Sequence, residues 1–157
     1  MNVTSRSRYA LKIMMDLAHF ADLPQVSRQD IAARQEVPLD YLDQIMMRLR
    51  KGKLVESVRG RSGGYRLARP ASEISVWDIF CCVDGSLYPV RCLDKGESCN
   101  LQDSCVTKDV WFDIFEAIRN PLSELTLQKI SDRQVLRQPA KDLELWNSLR
   151  KAAITTL

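Results

Sequence analysis

Three cysteines stand close together in a stretch of the chain that shows neither helical nor strand periodicity. Six residues separate Cys92 from Cys99, and five separate Cys99 from Cys105. Thiolates at such spacings can converge on one centre, and soft thiolate ligands select zinc, Cu(I) or iron–sulfur clusters. Structural zinc usually takes four ligands with cysteines two to four residues apart, so the spacing slightly favours a cluster over zinc. A loop as long as residues 85 to 105 also needs a physical reason, and a bound metal would supply one.

The remaining cysteines and the single histidine are weaker ligand candidates. Cys81 and Cys82 fall on a predicted helix, where buried small hydrophobic residues are the simpler interpretation. His19 lies on another predicted helix and fits a surface or core position better than a metal site. Five cysteines are an odd count that does not suit a disulfide scaffold.

No apolar run approaches the ~20 residues that span a bilayer, and the start of the chain lacks a signal-peptide pattern. We therefore expect a cytoplasmic protein with reduced thiols and no membrane partner.

Charge is distributed unevenly along the 157 residues. Residues 1–69 carry 13 Lys and Arg against 7 Asp and Glu, a net of +6, whereas residues 70–157 carry 10 against 13, a net of −3. The basic first part is the expected footprint of a protein that binds a polyanion such as nucleic acid.

The first part of the chain predicts a winged helix-turn-helix. Apolar residues at helical spacing mark a first helix over residues 5 to 21, and residues 27 to 51 predict two short helices joined by a tight turn. Ser27 is a candidate N-cap, and Gly52 is well placed to end the third helix. The alternating residues 54 to 58, a loop rich in Gly and Arg, and residues 65 to 67 then predict a hairpin, which is the wing. The predicted fold is mainly α with a two-stranded wing.

The second part predicts a capped helix, the cysteine loop and a long apolar helix. Ser75 caps the helix that starts near Val76, and a helix from Val106 should end or kink at the step from Asn120 to Pro121. That last helix is apolar on more sides than one small domain can cover, so we expect a homodimer through residues about 106–120. The predicted organisation has three parts: a DNA-binding domain (1–69), a cysteine loop with its dimerisation helix (70–135), and a C-terminal tail (136–157) that includes one weakly specified helix from Lys141.

The exposed face of the third helix should read DNA. Gln44 can pair with an adenine edge in the major groove, and Arg48 or Lys51 can reach guanine or phosphate. Asp40 and Asp43 can accept a hydrogen bond from cytosine, although Asp40 also suits the first turn of a helix as an ordinary residue. Met47 lies on the same face.

The wing and the start of the first helix supply further contacts. Arg59 and Arg61 at the wing tip suit a narrow minor groove, and Ser5, Arg6 and Arg8 are natural phosphate contacts. The predicted DNA-binding residues are Ser5, Arg6, Arg8, Arg28, Asp40, Tyr41, Asp43, Gln44, Arg48, Lys51, Arg59 and Arg61.

Several motifs together give the chain a family resemblance over roughly residues 1 to 135. They are Arg8-Tyr9-Ala10, Tyr41-Leu42 with Gln44, Arg48-Leu49-Arg50-Lys51, Leu54-Val55, Ser57-Val58-Arg59-Gly60, Gly63-Gly64-Tyr65, Val83-Asp84, Arg91-Cys92, Cys99, Cys105, Trp111 and Leu125-Thr126-Leu127. The chain resembles the Rrf-two family of bacterial transcription regulators, in the branch of the iron–sulfur cluster regulator IscR. The resemblance implies a winged-helix homodimer with a long dimerisation helix. It also implies an iron–sulfur cluster, [2Fe-2S] or [4Fe-4S], on the three loop cysteines, whose status sets which promoters are bound.

The chain departs from this family pattern at the position of the fourth ligand. Lys108 stands where the closest relatives have a histidine, and a protonated lysine has no lone pair to donate. The fourth position is then left to Asp109, Asp84, a thiol or solvent, and a labile cluster would follow. The first cysteine spacing is also one residue longer than in those relatives.

We therefore expect a sequence-specific transcription regulator, an activator or a repressor, controlled by a cluster that senses iron, cluster supply, or redox or nitrosative stress. The alternative is a winged-helix regulator that uses the cysteines as a zinc site or thiol switch without a cluster. An enzyme or cluster carrier is disfavoured because no acid–base pair, phosphate-binding loop or partnered nucleophile is visible.

Overall fold

The computed structural model describes residues 4–60, 63–94 and 104–137. These residues form six α-helices and one two-stranded antiparallel sheet. The helices are α1 (Ser5–His19), α2 (Arg28–Gln35), α3 (Leu39–Lys51), α4 (Val76–Asp84), α5 (Val106–Glu124) and α6 (Leu127–Arg137). The strands are β1 (Val55–Val58) and β2 (Gly64–Leu67), and short 3₁₀ helices cover Ala71–Glu73 and Arg91–Leu93. None of the helices in these ranges is long and apolar enough to cross a membrane.

Local capping signals set where the helices begin and end, as the sequence predicted. The Ser27 hydroxyl accepts a hydrogen bond from the backbone N–H of Asp30 and so starts α2. Ser75 and Asp78 form a reciprocal capping box at the start of α4, with both bonds at 3.1 Å. Gly52 directly follows α3. The helix-turn-helix and the capped fourth helix are therefore confirmed.

The wing pairs in register and is anchored to the helix-turn-helix by a third segment. Val55 pairs with Leu67 and Val58 with Gly64. Tyr65 also exchanges two backbone hydrogen bonds of 2.8 Å with Val26, in the connection between α1 and α2. A Cβ at Gly64 would overlap the Val26 carbonyl, so this close approach requires glycine. The wing base is thereby fixed relative to α2 and α3.

One hydrophobic cluster joins α1, α3 and α4 with the start of α6. The side chains packed in its centre are Ala10, Ile13, Met14, Leu17, Leu42, Ile45, Met46, Leu49, Ile79, Val83 and Leu127. Because Leu127 is fully buried among residues of the first part, the C-terminal helices pack directly on the winged helix.

The end of α5 differs from the prediction. An end or a kink was expected at the step from Asn120 to Pro121; the helix continues through Pro121 to Glu124, so the first of these two outcomes is wrong. The last turn closes through a hydrogen bond from the Leu125 N–H to the Pro121 carbonyl, and Leu122 and Leu125 pack against the core. That packing outweighs the single N–H that proline removes.

Helix α6 was not anticipated. The Thr126 hydroxyl accepts from the Lys129 N–H, which starts the helix, and Leu127 anchors it in the core. The helix predicted from Lys141 lies outside the described residues.

A buried ion pair fixes α2 against α1. Both carboxylate oxygens of Asp16 accept from Arg34, at 2.9 and 2.7 Å, and Gln35 donates a third hydrogen bond at 3.0 Å. The Asp16 side chain is fully buried, and the Arg34 guanidinium stacks over Phe20 with 4.3 Å to the ring centroid. Since α2 is the first helix of the helix-turn-helix, this pair ties that motif to α1.

We expect Asp16→Asn to lower the free energy of unfolding by about 3 kcal/mol, because it leaves Arg34 without a counter-charge in a mostly buried place. The matched control is Glu56→Gln, which breaks the exposed Glu56–Arg66 pair at 2.9 Å and should cost less than about 1 kcal/mol. Urea unfolding at one fixed protein concentration measures both. Equal effects of the two substitutions would contradict the assignment.

Candidate DNA-reading surface and cysteine segment

The exposed face of α3 carries the polar residues that the helical period placed there. Leu42, Ile45 and Leu49 are buried, whereas Gln44 and Lys51 are exposed on the opposite side. The last turn of α3 is basic, with Arg48, Arg50 and Lys51, which also suits the negative end of the helix dipole. α3 therefore presents a cationic, hydrogen-bonding surface, as a recognition helix requires.

Asp43, one of the two acids on this helix, is paired within the protein. Its carboxylate accepts from Arg28 of α2 at 2.7 Å. The pair spans the turn of the helix-turn-helix and lies at the surface, so it neutralises an acid that would otherwise repel phosphate. Arg28, which was expected to contact DNA, donates at least one of its N–H groups to Asp43 instead.

Two further arginines point to the C-terminal end of α4. Arg6 and Arg48 both donate to the Val83 carbonyl, at 3.1 and 3.3 Å, and Arg6 also lies 3.5 Å from the Asp84 carboxylate. Carbonyls at a helix C-terminus lack intrahelical donors and attract cations. Here the start of α1 and the last turn of α3 supply them.

Asp84 organises the start of α1. Its carboxylate accepts from the Thr4 hydroxyl at 2.8 and 3.0 Å and from the Ser7 hydroxyl, and its side chain is almost completely buried. Thr4 in turn caps α1 by accepting from the Arg6 and Ser7 backbone N–H groups. Asp84, a candidate fourth ligand, would have to give up these bonds to bind a metal.

Cys82 makes a further contact between α3 and α4. Its thiol donates to the Arg48 carbonyl at 3.1 Å, and a Cβ placed on Gly52 would overlap its sulfur. Burial raises the pKa of the Cys81 thiol to about 11, with Asp78 adding to the effect, and burial also raises the pKa of Cys82. Both are half-buried, protonated packing residues, which makes them poor thiolate ligands.

The remaining predicted DNA contacts lie at the edges of this surface. Arg59 is exposed near the wing tip, and Arg8 lies beside Ser5 at the start of α1, with 3.4 Å between Nη2 and the hydroxyl oxygen. Tyr41 is half-buried in an edge-to-face contact with Tyr9. Arg61 lies outside the described residues. Exposed Asp40 occupies the first turn of α3.

Two of the three loop cysteines flank the segment of residues 95–103. Cys92 lies in the 3₁₀ helix Arg91–Leu93, and Cys105 immediately precedes α5. Cys99 lies outside the described residues. Among the residues that the structure does describe, no three His, Cys, Asp or Glu side chains group together as metal ligands would.

The chemistry of the described donors nevertheless fits a soft metal. Hydrogen bonds with the Thr107 side chain and backbone hold the pKa of the Cys105 thiol below its ordinary value, which favours the thiolate that metals bind. Lys108 and Asp109 follow in the first turn of α5, and Asp109 is exposed.

Helix α5 carries an uncovered apolar stripe. Val106, Val110 and Ile114, one helical turn apart, are 86%, 56% and 40% exposed. On the other side of the helix, Phe115 is buried against Trp77 and Tyr88, with ring centroids 5.6 and 4.4 Å apart. The helix is therefore anchored on one side and open on the other.

Comparison with known proteins gives consistent matches. The model of a family described as "Rrf2: Iron-dependent Transcriptional regulator" matches residues 3–133. The chain is 42% identical over 134 residues to the HTH-type transcriptional regulator IscR of Serratia proteamaculans, which covers 85% of this chain and 81% of that one. Among solved structures, IscR of T. potens has a TM-score of 0.69 and 33% identity, covering 88% of this chain and 93% of that one. CymR, the global cysteine regulator of B. subtilis, has a TM-score of 0.70 and 28% identity, covering 85% and 98%.

We expect Gly52→Ala to destabilise the protein by about 1–3 kcal/mol, because the added methyl group meets the Cys82 sulfur. The backbone at Gly52 has φ −79°, which alanine adopts without strain, so the clash is the only cost. In a Cys82→Ala background most of the penalty should disappear, because only the Cβ of residue 82, 3.3 Å from the added methyl group, is still close. A double-mutant cycle of urea unfolding measures this coupling, and an unchanged penalty in that background would refute it.

Proposed function

The chain belongs to the Rrf2 family of transcriptional regulators, and from this premise we propose that it is a homodimeric, sequence-specific regulator controlled by an iron–sulfur cluster. The DNA-binding winged helix is the part common to the family and the matched relatives. Control of DNA binding by the cysteine segment is supported chiefly by one observation: the end of α4 contacts both α1 and α3 and leads directly into that segment.

Cys92, Cys99 and Cys105 would hold the cluster, with Asp109, Asp84 or solvent in the fourth position. A bound cluster would supply redox chemistry and sensitivity to iron, cluster supply, and oxidative or nitrosative stress. An open or carboxylate position makes a cluster easier to lose than four protein thiolates would, so loss can itself be the signal. The regulator would act in the cytoplasm, where its DNA is.

The chain's own residues connect the cysteine segment to the DNA surface. Gly85 follows α4 with φ +81°, and the chain then runs to Cys92. A shift at the end of α4 would move the Val83 carbonyl, which bonds Arg6 and Arg48, and the Asp84 carboxylate, which pairs with Arg6. Releasing either arginine would move a positive charge toward DNA. The cysteine segment and DNA would then be coupled through one short piece of backbone.

Gln44 and Lys51 would contact bases or phosphates from α3, and Arg59 and Arg61 would enter the minor groove from the wing. Ser5 and Arg8 would contact phosphate. Asp43 and its partner Arg28 would act together, since neither is free of the other.

We expect protein purified without oxygen to absorb visible light and to contain iron and sulfide in comparable amounts. Cys92→Ala, Cys99→Ala and Cys105→Ala should lose this absorption because each removes a ligand. Cys81→Ala is the matched control and should keep it, because burial holds that thiol protonated. DNA affinity measured before and after air exposure tests the coupling. Absence of iron and sulfide, or DNA affinity that does not change on cluster loss, would overturn cluster control.

A second candidate uses the same cysteines without a cluster, as a zinc site or a thiol switch. It is favoured by Lys108 in the first turn of α5, because a protonated lysine has no lone pair with which to complete a cluster's ligands. Colourless, air-stable protein containing zinc would support the zinc site. Reversible loss of DNA binding on oxidation of metal-free protein would support the switch.

The dimer would form through the apolar stripe of α5. A helix of 19 residues is about 28 Å long, and its stripe can pack on the same stripe of a second copy around a two-fold axis. Paired reading helices would then meet two half-sites about one turn of DNA apart.

We expect Ile114→Glu to convert the dimer to monomer and to weaken binding to two-fold symmetric DNA, because it buries a charge in the interface. Arg119→Gln, at an exposed position ~180° around the helix from Val110, should change neither. Sedimentation equilibrium and DNA titration measure the two effects. A wild-type monomer, or an Ile114→Glu dimer, would contradict this interface.

A further inference from the structure

One large apolar side chain stands uncovered on the reading face of α3. Met47 is 65% exposed, more than any other large hydrophobic residue described outside α5. It is isolated from the apolar stripe of α5, which is a run of three residues one turn apart. A stripe along a helix can pack against a second helix, whereas one isolated apolar side chain can contact only one small apolar group of a partner.

The position of Met47 on α3 places it between the polar residues proposed to read bases. It follows Gln44 by three residues and precedes Lys51 by four, so it lies within ~60° of both around the helix axis. Together with Arg50 and Lys51 it borders an open cleft of about 600 Å³ whose far wall is β1.

The charges around this cleft indicate what would occupy it. Arg50, Lys51 and Lys53 have no ion-pair partner among the described residues, whereas Arg66 and Arg69 are paired with acids. Glu56, the acid in the cleft, is already paired with Arg66 at 2.9 Å. Unpaired cations beside an exposed apolar group fit the major groove of DNA, which offers phosphates at its rim and base edges at its floor.

Thymine is the base that presents an apolar group there. Its C5 methyl projects into the major groove, and the adenine of an A·T pair offers the N6 and N7 groups that a glutamine recognises. The methionine side chain is flexible and polarisable and adapts to such a contact. We propose that Met47 is a specificity-determining residue that contacts the C5 methyl group of a thymine beside the base read by Gln44. The inference rests on the proposed function in one respect, that α3 reads the operator.

The test uses a duplex selected by the wild-type full-length chain from a randomised library. Each thymine is replaced singly by deoxyuridine, which removes only the C5 methyl group. We expect one thymine per half-site at which this replacement weakens binding about fourfold, the equivalent of about 0.8 kcal/mol for one buried methyl-sized group. Met47→Ser should abolish that difference, and Met47→Leu should restore most of it.

The matched control is Leu39→Ala, which shortens another exposed apolar residue of α3, 38% exposed and ~12 Å from Met47 along the helix axis. It should keep the deoxyuridine effect. Circular dichroism checks that each variant is folded. If Met47→Ser binds specifically with the same deoxyuridine effects as wild type, the inference is overturned while the proposed function stands. If the wild-type chain selects no sequence at all, the proposed function itself fails and the inference with it.

Discussion

The C-terminal turn of α4 is the contact on which the arrangement of the DNA surface depends. Its last carbonyls have no intrahelical donors, and the Val83 carbonyl takes Arg6 from α1 and Arg48 from α3. The neighbouring Asp84 caps the start of α1 through Thr4 and Ser7. Without this turn, two arginines and two hydroxyls would each need another partner. Because the same turn leads into the cysteine segment, that segment and the candidate DNA surface share a boundary only a few residues long.

This arrangement divides the basic residues into two groups with different roles. Arg28, Arg34 and Arg48 bond acids or carbonyls of a neighbouring helix within the protein. Arg50 and Lys51 have no ion-pair partner in the described part of the chain and are left for an external anion. The excess positive charge of the first part is therefore partly structural. A count of Lys and Arg overstates how many of them are available to phosphate.

Local features of the sequence predicted most of the fold, whereas distant contacts could not be predicted. Caps such as Ser27 and Ser75 and the apolar period of α3 act within a few residues, and the structure confirms them. The bridge from Val26 to Tyr65 and the start of α6 at Leu127 depend on residues far apart in the chain. The site divides in the same way. The exposure of Gln44 follows from the helical period of α3, but the bond from Arg48 to the Val83 carbonyl joins residues 35 positions apart and could not be predicted.

The two carboxylates considered for the fourth ligand differ in what binding a metal would cost. Asp84 would lose hydrogen bonds from Thr4 and Ser7 and an ion pair with Arg6, all in an almost buried place. Asp109 is exposed in the first turn of α5, the helix that Cys105 immediately precedes. Ligation by Asp109 would leave the α4 turn intact, whereas ligation by Asp84 would uncap α1 directly. The lower cost favours Asp109, and the regulatory signal would then have to reach α4 through the backbone between Gly85 and Cys92.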